Sequence, residues 1–258
     1  MSTAYPLSPL QQGMLFHWLR EPEAGVDLEQ IGCTLHGVDV PRFLRAWEHV
    51  TARHPALRTR FRWEHVDAPV QEVLDAPRDA PLDAPLVPLV PLAVHEEDVR
   101  ALDAAAQRQR VAAYLDADRQ RGFRLDALPL FRLAFFRSAE DRHEFVWSFP
   151  HLILDGRSFI LVLREVLATY RALAAGTEPA LPTPRPYRDF IAWLEGQDPA
   201  PAAAYWAEAL RGFAEPVVPD LGADSAVHAL RTANPARLLH GGSAPVPPAG
   251  RIRERSHP

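Results

Sequence analysis

A histidine and an aspartate stand four residues apart in the segment SFPHLILDGRS, residues 148–158. An imidazole has a reference pKa of about 6.5, so much of it is neutral at neutral pH and able to accept a proton. His151 is therefore a candidate general base, with Asp155 and Gly156 beside it. The spacing alone equally allows a structural interpretation, in which the histidine and the aspartate fix a tight turn.

The elements that must position His151 follow from hydrophobic periodicity. The segments 130–137 (LFRLAFFR) and 143–150 (HEFVWSFP) are predicted to be strands, since a polar stretch of hairpin length separates them. A loop follows the second strand, and Ser158 is the predicted cap of the next helix. The buried stripe of that helix is expected at Phe159, Val162, Leu163, Val166 and Tyr170. Loops between a buried strand and a helix often carry function.

The rest of the chain alternates between helix and strand patterns up to residue 173. The first helix has Ser8 as its cap, Pro9 at its first position and Gln11 completing a capping box. Further strands are predicted at 28–37 and 57–64, and further helices at 41–54, 100–121, 187–197 and 202–212. The proline-rich stretch 66–92 is predicted to be an edge or a loop. This pattern predicts an α/β fold, a mixed sheet covered by helices.

Composition excludes several classes of protein. A formal net charge of −5 argues against a nucleic-acid protein. No apolar run reaches the roughly 18–20 residues of a membrane helix, and the N-terminus lacks the pattern of a secretory signal. Cys33 is the single cysteine, there is no Cys/His cluster, and no phosphate-binding glycine loop suggests ATP. We therefore expect a cytoplasmic protein without a bound metal.

Four stretches in order resemble the first four signature motifs of the condensation domains of nonribosomal peptide synthetases. They are SPLQQGMLF (8–16), RHPALRTRF (53–61), PHLILDGRS (150–158) and YRDFIAW (187–193). These domains belong to the chloramphenicol-acetyltransferase-like superfamily, and the resemblance covers roughly residues 4–213. Four motifs at plausible spacings are far more specific than one short motif.

The resemblance implies a role for each residue of the third motif, which in the family reads His-His-x-x-x-Asp-Gly. His151 matches the catalytic histidine, and Pro150 replaces the first histidine. Asp155 is expected to be structural and to pair with Arg58 of the second motif, which would hold the loop that carries His151. Gly156 is expected to give room beside the substrate or to adopt a positive φ, although a plain turn glycine fits equally well.

The family activity is amide bond formation between acyl or aminoacyl groups that partner carrier proteins hold as thioesters. The implied partners are therefore peptidyl or aminoacyl carrier proteins. No cofactor is expected on the chain itself, because the phosphopantetheine arms belong to those partners. In complete domains of the family, the catalytic histidine lies in a tunnel between two similar lobes.

The resemblance also predicts the domain organisation. Residues 1–175 would form the N-terminal lobe, residues 176–214 a linker and the first helices of the second lobe, and residues 215–258 a disordered tail rich in Pro, Ala and Arg. Because the later family motifs are absent, the chain is predicted to be truncated and inactive alone. Two alternatives stay open: an acyltransferase completed by a partner chain, and a non-catalytic module that docks carrier proteins.

Overall fold

The computed structural model describes residues 2–21, 25, 27–75 and 90–213. Along this part of the chain the elements are β1 (Ser2–Pro6), α1 (Pro9–Arg20), β2 (Leu28–His36), α2 (Val40–Arg53), a 3₁₀ turn (Pro55–Arg58), β3 (Thr59–Arg62), β4 (Val70–Leu74), β5 (Ala93–Asp98), α3 (Ala104–Arg121), β6 (Arg132–Ala139), β7 (Arg142–Pro150), α4 (Ser158–Ala175), α5 (Tyr187–Glu195) and α6 (Ala200–Ala209). The predicted tail, 215–258, lies outside the described residues.

The larger sheet has the strand order β2-β7-β6-β5. β7 is antiparallel to β2 and β6, whereas β5 is parallel to β6, so the sheet is mixed as predicted. α2 and α4 pack together over one face, where Trp47 is fully buried and meets Trp147 edge-on at 4.8 Å between ring centroids. On α3, Tyr114 contacts Phe136 of β6 on the other face. Burying large aromatic side chains in this way supplies much of the stabilisation of such a core.

The smaller sheet has the order β1-β4-β3 and is antiparallel throughout. The prediction that residues 66–92 form only an edge or a loop is therefore wrong for β4, which is the central strand. Residues 70–74 contain no proline, so every residue of β4 keeps the N–H that a central strand needs on both sides. The proline-dense residues 76–89 lie outside the described part of the chain.

Most helix boundaries follow the sequence pattern closely. The capping box of α1 is confirmed, since the Gln11 N–H donates to Ser8 Oγ and Gln11 Oε1 accepts from the Ser8 N–H. α3 ends at Gly122, as predicted. Ser158 is not a cap, however, because it is the first helical residue of α4 and Arg157 occupies the capping position without a side-chain bond.

Two short strands were missed by the sequence analysis. β1 ends in a proline and β5 contains a His-Glu-Glu-Asp run, and both lie at the edge of a sheet, where apolar alternation is weak. The predicted strand 57–64 is shorter than expected, because the 3₁₀ turn takes its first two residues.

α5 packs on the smaller sheet rather than on the main core. Ile191 forms a small apolar cluster with Tyr5 of β1 and Val73 of β4, and burial raises the pKa of the Tyr5 hydroxyl to about 12. α6 has no buried residue. Among the helices of the described ranges, none is long and apolar enough to span a membrane.

Candidate functional site

An open cleft runs between the start of α1, the 3₁₀ turn, the loop 151–157, the first half of α4, and α5. Its volume is about 890 Å³, close to the upper end of the range of about 300–1,000 Å³ found for small-molecule sites. Two of the four predicted site residues, His151 and Asp155, lie in its wall. Arg58 and Gly156 are not among the lining residues.

His151 follows the last residue of β7 directly. Pro150 ends this strand opposite Leu28 of β2, and the His151 N–H donates to the carbonyl of Asp27 at 2.7 Å, which extends the pairing by one residue. Pro150 therefore ends the strand without breaking its register. The half-buried imidazole lines the cleft, and no described residue hydrogen-bonds to its ring. Both ring nitrogens thus remain available to a ligand.

Asp155 organises the turn into α4. Its carboxylate accepts the backbone N–H groups of Arg157 at 3.1 Å and Ser158 at 2.7 Å. Hydrogen bonds from the side chain and backbone of Ser158 lower the pKa of Asp155, so the group is ionised at neutral pH. An ionised carboxylate engaged with its own turn is a poor proton acceptor, which supports a structural role for Asp155.

The predicted Arg58–Asp155 ion pair is wrong. The buried guanidinium of Arg58 donates from Nε to the carbonyl of Thr51 at 3.1 Å, and from Nη1 to the carbonyl of Leu74. Burial lowers the pKa of Arg58, while the charge of Asp75 acts in the opposite direction. Arg58 therefore ties the end of α2 to β4 instead of holding the His151 loop.

Gly156 does not need to be glycine for backbone reasons. It is not among the described residues with a positive φ, and a Cβ built at this position would meet nothing within 4 Å. The expectation of a positive φ is therefore wrong. Room for a substrate beside Gly156 stays a prediction.

A polar cluster at the cleft was missed by the sequence analysis. Glu165 of α4 accepts from His54 Nε2 and from Arg53 Nε, both at 2.8 Å. Burial raises the pKa of Glu165, but the bonds from His54 and Arg53 outweigh it and the net shift is downward. Glu165 is 111 residues from His54 along the chain, so no local pattern could reveal the pair.

Comparison with known proteins places this geometry in a family. A family model described as a condensation domain matches residues 1–237. The chain belongs to the condensation-domain family. One of the linear gramicidin synthase proteins of Brevibacillus parabrevis is 39% identical over 84% of the chain, and surfactin synthase subunit 3 of Bacillus subtilis (strain 168) is 35% identical over 81%. The chain spans only 4% and 16% of the length of those two proteins.

Solved structures show the same fold. The starter condensation domain of the rhizomide synthetase RzmA has a TM-score of 0.68 at 23% identity, and the first condensation domain of the CDA synthetase has a TM-score of 0.69 at 22% identity. Each match covers 83% of this chain, but only 49% and 52% of those chains. The α/β fold prediction is confirmed, and the chain spans about half the length of these solved condensation domains.

The cleft of this condensation domain offers an imidazole rather than a metal centre. Within the described ranges, no three His, Cys, Asp or Glu side chains are grouped so that they could hold a metal ion. Apolar residues surround His151 in the cleft wall, among them Leu152, Leu154 and Leu161. An imidazole with free ring nitrogens in such surroundings can accept a proton from a bound amine or hydrogen-bond to it.

Proposed function

We propose that this condensation domain takes part in amide bond formation between acyl or aminoacyl groups carried as thioesters on phosphopantetheine arms of partner carrier proteins. The observation that carries the proposal is the imidazole of His151, without a hydrogen-bond partner among the described residues, in the wall of a cleft of about 890 Å³. The relatives that share 35–39% of its residues are gramicidin and surfactin synthases by name, which supports this class of substrate.

The reaction needs one proton to be moved. The acceptor amine attacks the thioester carbonyl carbon, a C–N bond forms, the C–S bond breaks, and the thiol leaves with the proton that the amine gives up. His151 would accept that proton or hold the amine by a hydrogen bond while the bond forms. Asp155 would act only through the loop, by keeping its turn into α4 closed.

We propose that residues 1–258 alone catalyse this reaction poorly. Acyl transfer depends on holding both substrates in a closed and pre-organised site. This chain spans about half the length of the solved condensation domains. The cleft beside His151 would then need a second wall, supplied by another polypeptide, before both thioester arms are held.

The test mixes the protein with one carrier protein loaded with a donor and one loaded with an acceptor. The reaction is run with and without a separately produced polypeptide that corresponds to the remaining half of a solved condensation domain. Product is followed by mass spectrometry of the acceptor carrier protein. We expect product only in the completed mixture, and its loss in His151→Ala.

A matched control is available at the other end of the same strand pair. His36 is exposed and ends β2 opposite Arg142, whereas His151 follows the end of β7 opposite Asp27. His36→Ala should leave product formation unchanged. Product that survives in His151→Ala would refute the proposed role of the imidazole. Tight binding of a carrier protein with no product in any mixture would favour the docking module instead.

A further inference from the structure

The side-chain amide of Gln11 joins α1 to the loop that carries His151. Gln11 is only 7% exposed, although it lies in the first turn of α1. Its Nε2 group donates to the carbonyl oxygen of Leu152 at 3.1 Å. Leu152 directly follows His151, so this bond holds the backbone next to the imidazole. The two partners are 141 residues apart along the chain.

A second glutamine holds the amide of Gln11 in place. Gln71 of β4 is 2% exposed, and its Nε2 group donates to Gln11 Oε1 at 3.1 Å and to the carbonyl of Pro6 at 2.9 Å. Gln11 Oε1 also accepts the Ser8 N–H at 3.0 Å. Since the amide oxygen already serves two donors, the NH₂ group must face Leu152. The orientation of Gln11 is therefore determined by its surroundings.

The backbone of the His151 loop is anchored on both sides of the histidine. On one side the His151 N–H donates to Asp27, and on the other side the Leu152 carbonyl accepts from Gln11. The imidazole itself has no hydrogen-bond partner among the described residues. We propose that Gln11 is a positioning residue for His151, which sets the place where the imidazole meets the amine. The catalytic part of this inference rests on the proposed function, whereas the anchoring does not.

The anchoring role can be separated from helix capping. A capping box needs only the side-chain oxygen at this position, and glutamate serves as well as glutamine. In Gln11→Glu, one carboxylate oxygen can still accept the Ser8 N–H. The other replaces the NH₂ group and faces the Leu152 carbonyl without a proton to donate. The substitution therefore keeps the cap and removes the anchor.

Gln12 offers a matched control one residue further along α1. It is exposed, and its Nε2 group donates to the carbonyl of Leu7 at 3.3 Å without reaching the His151 loop. Gln12→Glu makes the same chemical change in the same helical turn. Gln11→Met keeps the side-chain length and removes the donor without burying a charge, so it replaces Gln11→Glu if that variant does not fold.

The first measurement is nuclear magnetic resonance of the protein with labelled histidine, together with amide hydrogen exchange. In Gln11→Glu we expect the His151 ring signals to shift and the amides of His151 and Ile153 to exchange about three- to tenfold faster, the effect of one net hydrogen bond. Gln12→Glu should change neither. Unchanged ring signals and unchanged exchange in Gln11→Glu would overturn the inference, whatever reaction the domain catalyses.

The second measurement is acyl transfer in the completed mixture described above. In Gln11→Glu we expect kcat to fall about tenfold, as for a misplaced catalytic group, while KM stays within about twofold. An increase in KM alone would contradict positioning of the imidazole. If Gln11→Glu moves the loop but His151→Ala leaves the transfer intact, the proposed function fails and the anchoring role stands.

Discussion

Replacing Asp155 by alanine tests whether this carboxylate is a structural group of the cleft. Asp155 accepts two backbone N–H bonds where the chain enters α4. Losing a capping acceptor costs about 0.5–2 kcal/mol, typically about 1. Losing a negative charge at a helix N-terminus costs a further 0.3–1 kcal/mol or so at an exposed position. Asp155 is exposed, so we expect a total of about 1–1.5 kcal/mol.

Asparagine at the same position separates the two contributions. Asp155→Asn keeps an oxygen acceptor for the turn and loses only the charge, so it should cost about 0.5 kcal/mol or less. Urea unfolding followed by tryptophan fluorescence measures both values. In thermal unfolding the alanine variant should lose about 2–6 °C. An asparagine variant as unstable as the alanine variant would refute the capping argument.

The pH dependence gives a second check with a definite sign. The pKa of Asp155 is lowered in the folded state, so its stabilisation is full above the unfolded pKa of about 3.9 and is lost as the pH falls through the folded pKa. The difference between wild type and Asp155→Ala should therefore be constant from about pH 5 to 8 and shrink below about pH 4.

Asp103 provides a matched control far from the cleft. It caps α3 by accepting the N–H groups of Ala105 and Ala106, both at 2.8 Å. Asp103→Ala should cost a similar free energy and leave acyl transfer unchanged, whereas Asp155→Ala should also slow the transfer because its turn supports His151. If Asp155→Ala kept the wild-type unfolding temperature but lost activity, Asp155 would act on the substrate, and the reasoning above would be wrong.

Three further predictions concern the same framework. Arg58→Ala and Asp155→Ala should be additive within about 0.5 kcal/mol in a double-mutant cycle, because no contact joins them; a coupling above about 1 kcal/mol would restore the ion pair. Glu165→Gln should destabilise by about 1–2 kcal/mol at pH 7. Because the pKa of Glu165 is lowered, this loss should shrink as acid removes the charge, and an equal loss at pH 7 and 3.5 in urea unfolding would contradict the role of the ion pair with His54. Trp47→Ala should cost about 3–5 kcal/mol in the same assay, since Trp47 is fully buried; a loss below about 2 kcal/mol would contradict its place in the core.

Local features of the sequence were sufficient for most of the framework. The capping box at Ser8 and Gln11 depends on residues three apart, and the helix end at Gly122 depends on one glycine. β6 and β7 were predicted from apolar runs with a short polar connection between them. Each of these structures is determined by bonds between near neighbours, so a pattern in the printed sequence specifies it. The same is true of the four motifs, whose order sufficed to predict the family.

The contacts that position His151 were decided only by the tertiary structure. The sequence names Arg58 and Asp155 as charged partners, but in the folded chain Arg58 satisfies two carbonyl oxygens and Asp155 satisfies its own turn. The bond from Gln11 to the Leu152 carbonyl joins residues 141 apart. A buried polar group takes whichever partner the packing brings within reach, and that choice depends on how distant segments meet. Charge complementarity in a sequence does not determine it.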